Sequence, residues 1–384
     1  MPEIKNLEKA AKRIEKAIKN KEKIILFGDA DLDGTTSLII LEEAIKNLGG
    51  SVFLCYFPDR ENEGYGLNKK ALNFLKKYSP ALIILLDCGI GNFEEIEMAK
   101  KLSLEVIVID HHDILNDKIP DASIVVDPKQ KEDNYPFKFL AACGLSLKLA
   151  QIILGKKISQ SVNQSFSELA ALGTVADMMP QIQDNQTIIE KGLGSLYSTL
   201  RPGLRVFLKF FDHQNFSLKE LTQKIVSILQ ITDSVDHLNE CYLFLTSPDE
   251  DKAQKLFDTL IEKNLQRQEI IKNLAGELIE KVKEGSPFVF EGGTEFPLVL
   301  TGALASRICR TFKKPAFVFS QKEKLTRGSV RTPEGMNSVE ILKQCESLLE
   351  VYGGHPPASG FTVKSENLEK LRNCLKEYFL KPKT

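Results

Sequence analysis

Five short apolar runs dominate the first third of the chain: IILFG at 24–28, VFLCY at 52–56, LIILLD at 82–87, EVIVID at 105–110 and SIVVD at 123–127. None is long enough to make a packed helix, and helical periodicity fills most of the gaps between them, over 35–48, 67–77 and 93–102. Buried strands that alternate with helices assemble into a largely parallel sheet covered on both faces. The expected fold class is therefore α/β.

A chain of 384 residues exceeds the roughly 250 at which a single core stops growing, so two domains are expected. A mostly helical stretch at 138–200 would complete the first. The segment 201–222, opening on Arg-Pro-Gly, reads as a boundary, and the charged pattern over 250–284 reads as a long linking helix. Beyond it, strand-like PLVL at 297–300, a helix near 303–312 and strand-like runs at 315–320 and 325–332 suggest a smaller α/β domain. The expected partition is 1–205, a helical connector over 206–285, and 286–384.

Ile4, Leu7, Ala11, Ile14 and Ile18 recur at helical spacing among lysines, which favours a packed surface helix over a nucleic-acid arm. No apolar run approaches the roughly 18 residues of a membrane-spanning helix, and residues 1–23 lack the apolar centre of a signal peptide. A cytoplasmic protein with no membrane contact is expected. The cysteines at 55, 88, 143, 241, 309, 345 and 374 show no Cys-x-x-Cys spacing, so neither a zinc site nor a disulfide framework is expected. Each reads as a reduced, small core residue. With a net charge of -1 the protein offers polyanions no general attraction, and any nucleic-acid binding must be local.

The first apolar run leads straight into Asp29-Ala30-Asp31-Leu32-Asp33-Gly34. Three carboxylates in one turn repel each other unless a cation sits among them. An EF-hand loop is excluded, because its twelfth position would be Ile40 and a strand, not a helix, precedes it. Two further strands end in acid, at Asp87 and at Asp110-His111-His112-Asp113, and a helical segment ends at Asp177. One such ending is commonly a helix cap; several at the same sheet edge point to a ligand crevice. Many aspartates with one or two imidazoles suit manganese or magnesium better than zinc.

These segments, DADLDG, LLDCG, VIDHHD and GTVADMMP, resemble in order and spacing the four motifs of the DHH phosphoesterases. FPDRENEGYGLN at 57–68, AACGLSLKLA at 141–150 and DNQTIIEKGL at 184–193 are similar to the RecJ-like exonuclease branch. LTGALASRI, RGSVRT and YGGHPPASGFTV resemble the DHH-associated domain. The likeness spans nearly the whole chain and implies a parallel-sheet DHH domain joined by a long helix to a smaller α/β domain.

Carried over position by position, the resemblance makes Asp29, Asp31, Asp33, Asp87, His111 and Asp177 ligands of two divalent cations, Mn2+ or Mg2+, with Asp87 bridging. His112 would face the scissile phosphate, so that His112, Asp87 and Asp31 carry the chemistry. Arg60, Arg307, Ser329, Arg331, Gly353, Gly354 and His355 would hold the substrate's phosphates, and a cleft between the domains would thread the strand. The implied partner is single-stranded nucleic acid, DNA before RNA. Two departures stand out. ILQITDSVDHLNE at 228–240 replaces the usual Pro-Arg-Leu-Asn-Ala-x-Gly-Arg stretch, and the sequence leaves no room for the oligonucleotide-binding barrel of bacterial members, so a protein partner could supply strand affinity. With no tryptophan and 8% aromatic residues, base-stacking platforms are not evident. Three readings stay open: a 5′–3′ single-strand exonuclease, a phosphodiesterase of short oligonucleotides or cyclic dinucleotides, and an inactive scaffold of the replication-associated type. Inorganic pyrophosphatase chemistry is disfavoured by the RecJ-like intervening segments.

Overall fold

The structure, a computed structural model, describes residues 3–114, 117–211, 216–230, 234–282 and 285–380. The chain divides into two compact units, Met1–Asn264 and Leu265–Thr384. In the first, the order is α1 (Leu7–Lys19), β1 (Ile24–Gly28), α2 (Leu32–Asn47), β2 (Leu54–Tyr56), α3 (Lys69–Leu75), β3 (Ala81–Leu86), α4 (Phe93–Lys101), β4 (Leu104–Ile109) and β5 (Ile124–Val126). There follow α5 (Ala142–Leu154), α6 (Gln160–Ala176), α7 (Gln183–Ser195), α8 (Pro202–Phe210), α9 (Leu218–Leu229), the hairpin β6 (Ser234–Val235) and β7 (Leu238–Asn239), and α10 (Glu240–Leu245). The helix α11 (Glu250–Lys281) begins in this unit and ends in the other.

The five runs read as strands form one parallel sheet in the order β2-β1-β3-β4-β5. Every residue of β1 and β3 is buried, as strands covered on both faces require. On one face α3 and α4 pack over Ile25, Ile83 and Val106; on the other α1, α2, α5 and α6 pack over Ile24, Leu82 and Ile107. The chain winds one way from β1 to β2 and the other way from β1 to β3, so the topological switch point lies at the carboxyl ends of β1 and β3. Asp29 and Asp87 follow those two ends.

Much of the segment expected as a connector belongs to the first core. Leu204 and Phe207 of α8, Leu221 and Ile225 of α9 and Phe244 of α10 are buried against Phe257 and Leu260 of α11. Phe257 meets Phe207 edge-on at 5.2 Å and stacks on Phe244 at 6.0 Å. Removing that fully buried ring leaves a cavity, so Phe257→Ala is expected to destabilise the first unit by about 3–5 kcal/mol, read as a lowered urea midpoint.

The second unit contains β8 (Val289–Gly293), α12 (Leu298–Phe312), β9 (Ala316–Gln321), β10 (Leu325–Arg331), α13 (Ser338–Lys343), β11 (Leu349–His355), β12 (Ala358–Lys364) and α14 (Leu368–Leu380). Its sheet runs β11-β12-β10-β9-β8, antiparallel except for the β8–β9 pair. PLVL is not a strand: Pro297 caps α12 and Leu298–Leu300 form its first turn. Four apolar residues cannot fix a period, and Leu300, Leu304 and Ile308 continue at helical spacing into the core. The expectation that all seven cysteines are reduced also fails, because Cys345 and Cys374 form a disulfide. Packing of the α14 segment near the end of α13 brings their Cα atoms to 6.1 Å, which no sequence spacing could reveal. The other five are buried free thiols. Among the described residues no helix is long and apolar enough to cross a membrane.

Candidate metal centre

The loop after β1 and the start of α2 place three carboxylates within five residues. Asp31 is the N-cap of α2 and accepts the Gly34 amide at 3.0 Å. Position 34 must be glycine, since a Cβ there would lie 2.3 Å from the Asp29 carbonyl oxygen. Asp33 lies in the first turn of α2, and its two oxygens accept the amides of Ala142 and Cys143 at the start of α5, each at 2.8 Å. Asp87 follows β3 with φ 61, a left-handed conformation that is uncommon for a non-glycine residue and tends to occur where a site demands it. His111 and His112 follow β4, and Asp177 caps the end of α6.

Nε2 of His111 lies 3.1 Å from Asp87, 3.5 Å from Asp33 and 3.5 Å from Asp177. Ligand-type atoms of Asp33, Asp87 and His111 lie within 4.8 Å of one another, as do those of Asp29, Asp31 and Asp87. Asp87 is common to both groups. Burial, then repulsion from Asp33, Asp31 and Asp29, pushes the Asp87 carboxyl well above its ordinary range. Burial does the same to Asp177, with Asp33 and Asp31 adding to it, and raises Asp33 to about 6. Asp29 is raised by burial even though Arg60 lies against it. Burial opposes ionisation of Asp31 too, but Arg60 at 3.0 Å and the Gly34 amide hold it below its usual value. Burial keeps the His111 imidazole neutral, the form that binds metals. Four carboxylates thus remain raised despite the Arg60 guanidinium. The donor set fits hard divalent cations, which would neutralise that repulsion.

His112 behaves differently from His111. Burial would lower its pKa, but Asp110 at 2.7 Å from Nδ1 raises it to about 9, so the ring is an imidazolium at neutral pH. Asp110 also accepts the amides of His111 at 2.7 Å and Ile90 at 2.9 Å. Tyr65 donates from its hydroxyl to the Asp87 main-chain carbonyl at 2.9 Å, and the same oxygen lies 3.2 Å from His112 Nδ1. Sequence reasoning gave neither Asp110 nor Tyr65 a place in the site. Asp110 reads only as one more strand-ending acid, although its position directly before a His-His pair was a usable signal.

In the second unit Ser329 and Arg331 share one face of β10 by strand alternation. Ser329 Oγ lies 2.8 Å from the Thr301 hydroxyl, and a Cβ at Gly302 would come 3.2 Å from Arg331 Nη2, so the guanidinium lies over the first turns of α12. Thr301 is a polar group that the sequence did not single out. Arg307 is exposed further along the same helix. Gly353, Gly354 and His355 end β11; a Cβ at Gly353 would meet nothing within 4 Å, leaving its main chain open to a close-approaching ligand. His355 is buried and its carbonyl accepts from Ser338 Oγ at 3.0 Å.

Residues 23–174 match the DHH family N-terminal domain, and residues 294–381 match the DHHA1 domain. The chain thus combines a DHH-type N-terminal domain with a DHHA1 domain. The chain is 34% identical to the single-stranded-DNA-specific exonuclease RecJ of Bacillus subtilis, over 98% of this chain and 48% of that protein. It is 29% identical to RecJ of Thermus thermophilus, over 94% of this chain and 52% of that protein. The chain thus spans about half the length of these curated relatives. A crystal structure of exonuclease RecJ bound to manganese matches with a TM-score of 0.79 and 25% identity, covering 99% of this chain and 96% of that one.

The charges of this cluster make stability depend on pH in a definite sense. His111 acts in the opposite sense, because its unfolded imidazole still takes up protons near pH 6.5, but that contribution fades by about pH 7.5 and is one group against the four that follow. Asp87, Asp177, Asp127 (raised to about 8, chiefly by burial) and His112 all bind protons more tightly when folded. The metal-free protein is therefore expected to lose stability as pH rises from about 6.5 to about 8. Because cations bind the deprotonated ligands, the gain in melting temperature on adding Mn2+ is expected to grow over the same interval, reaching several degrees. Thermal melts across that range, with and without Mn2+, check both slopes.

Proposed function

We propose that this chain is a metal-dependent, single-strand-specific exonuclease that hydrolyses phosphodiester bonds, acting on DNA rather than RNA and from the 5′ end. The observation that carries the reading is the sharing of Asp87 by two ligand groups, one of them wholly buried, with His112 paired to Asp110 beside them. Support comes from the similarity to RecJ over nearly the whole chain and from the manganese-bound RecJ structure. Asp29, Asp31, Asp33, Asp87, His111 and Asp177 would hold two divalent cations, Mn2+ or Mg2+, with Asp87 between them. Cations so held would supply hydroxide near neutral pH and neutralise charge on the phosphate.

The remaining groups act on the substrate directly. His112, kept charged by Asp110, donates to a phosphate oxygen, and Tyr65 fixes both the Asp87 main chain and the edge of that ring. Arg331, Ser329 and the open main chain at Gly353 take phosphates of the strand, with Arg307 and His355 as further contacts. Arg60 orders Asp29 and Asp31 and stands ready for a phosphate beside them. The cytoplasm is the proposed compartment, and a protein partner would add strand affinity. The test is Mn2+-dependent degradation of labelled 5′-phosphorylated single-stranded DNA against matched RNA and a dinucleotide. Stepwise release of mononucleotides from the long DNA is expected; cleavage of the dinucleotide alone would replace this reading with a short-oligonucleotide phosphodiesterase.

A further inference from the structure

Asp29 and Asp31 already have a cationic partner. The Arg60 guanidinium donates to both oxygens of the buried Asp29, from Nε to Oδ1 at 3.2 Å and from Nη2 to Oδ2, and Nη2 also reaches Asp31 Oδ2 at 3.0 Å. Asp31 Oδ1 takes the Gly34 amide at 3.0 Å, so all four oxygens of the pair are engaged. These two residues, with Asp87, make up one of the two ligand groups. The other group is arranged differently. Asp33 is held by two main-chain amides, and His111 lies 3.1 Å from Asp87 and 3.5 Å from Asp177. An amide carries no net charge, so a cation joining that group meets no like charge at Asp33. Arg60 sits in the loop between β2 and α3 with its side chain 30% exposed, and can turn outward without disturbing the core.

We infer that Arg60 is a built-in counter-ion that a divalent cation must displace from Asp29 and Asp31, and that the substrate's phosphate favours the exchange by taking up the guanidinium. The inference rests on the nuclease reading and adds an order to it. The position of Asp33, Asp87 and His111 fills first, and that of Asp29, Asp31 and Asp87 fills only weakly until a phosphate arrives. Each carboxylate oxygen has a second lone pair, so sharing is open by geometry. Charge decides against it, because a guanidinium and a divalent cation on the same two carboxylates repel each other where burial leaves little water to screen them. The planar fork of an arginine suits a phosphate as well as a carboxylate, so Arg60 can exchange one anion for the other. Such coupling is reciprocal: a cation at Asp29 and Asp31 frees Arg60 for the phosphate, and the phosphate frees the carboxylates for the cation.

Calorimetric titration of Mn2+ into the metal-free chain tests this, comparing the parent with Arg60→Gln and Arg60→Lys, each with and without thymidine 5′-monophosphate. The parent is expected to bind one Mn2+ tightly and a second more weakly. In Arg60→Gln the weaker step tightens about five- to a hundredfold, the usual range of coupling between two sites, while the tighter step is unchanged. Arg60→Lys keeps the charge and stays nearer the parent. Arg60→Met, neutral and of similar length, repeats the measurement should the glutamine variant not fold. The nucleotide tightens the weaker step in the parent and does so less in the neutral variant. A weaker step that is unchanged or loosened in the neutral variant overturns the inference, since Arg60 then only orders the carboxylates. An equal effect of the nucleotide on both proteins overturns it as well. A parent that binds no Mn2+ overturns the nuclease reading itself.

Discussion

Asp87→Ala is expected to lower the proposed Mn2+-dependent strand hydrolysis by about a thousandfold or more, and to leave the protein folded. The expected loss follows from Asp87 belonging to both ligand groups, so that one substitution would open both proposed cation positions together. The fold should survive because the carboxyl is buried among others that repel it, and deleting it would relieve repulsion in the metal-free protein. The variant should therefore melt at or above the parent without metal, and fall below it in saturating Mn2+. Calorimetric titration should show the number of bound Mn2+ ions fall as well. A variant as active as its parent would support the scaffold alternative.

His112→Gln is expected to cost about a hundred- to ten-thousandfold in kcat, the usual range for a positioned proton donor, with little change in Mn2+ affinity. The two histidines are adjacent in sequence but oppositely tuned. His111 is buried, neutral and turned toward Asp33, Asp87 and Asp177, whereas His112 is paired with Asp110 and protonated up to about pH 9. Asp110→Asn separates charge from mere presence of the ring. Losing Asp110 lowers the His112 pKa, so His112 stays protonated only to a lower pH and the alkaline limb of the rate profile moves down. An alkaline limb that stays in place would show that the charge on His112 is not used.

The sheet and its acidic edge were legible because their signals are local. Five apolar runs with helices between them allow few architectures, and Asp29, Asp31, Asp33, Asp87 and His111 each stand directly after or just beyond such a run. Asp177 needed the motif, since an acid at the end of a helix is ordinarily a cap. What stayed hidden depends on which surfaces meet. The patterns of α8 and α9 announce amphipathic helices but not the core they join, so the first unit extends to Asn264 where the sequence suggested a connector from 206. The same limit hid Tyr65, whose hydroxyl reaches a carbonyl 22 residues away, and the pairing of Cys345 with Cys374. The departing stretch at 228–240 had no legible role either. The described part of it is a hairpin that stacks His237 on Tyr56 at 4.2 Å and seats Asn239 against Thr35 at 2.7 Å, so it braces the aspartate loop from behind.

Asp33 has both of its oxygens committed to main-chain amides at the head of α5 while the same carboxyl faces His111 in the proposed cation site. Those amides are fixed points of the backbone, so they set how far the side chain can reach. Glutamate keeps the charge yet is longer by one methylene; it would have to release α5 or push into the space a cation needs. At this position length is constrained as tightly as charge, and a charge-preserving exchange would be no milder than a neutral one.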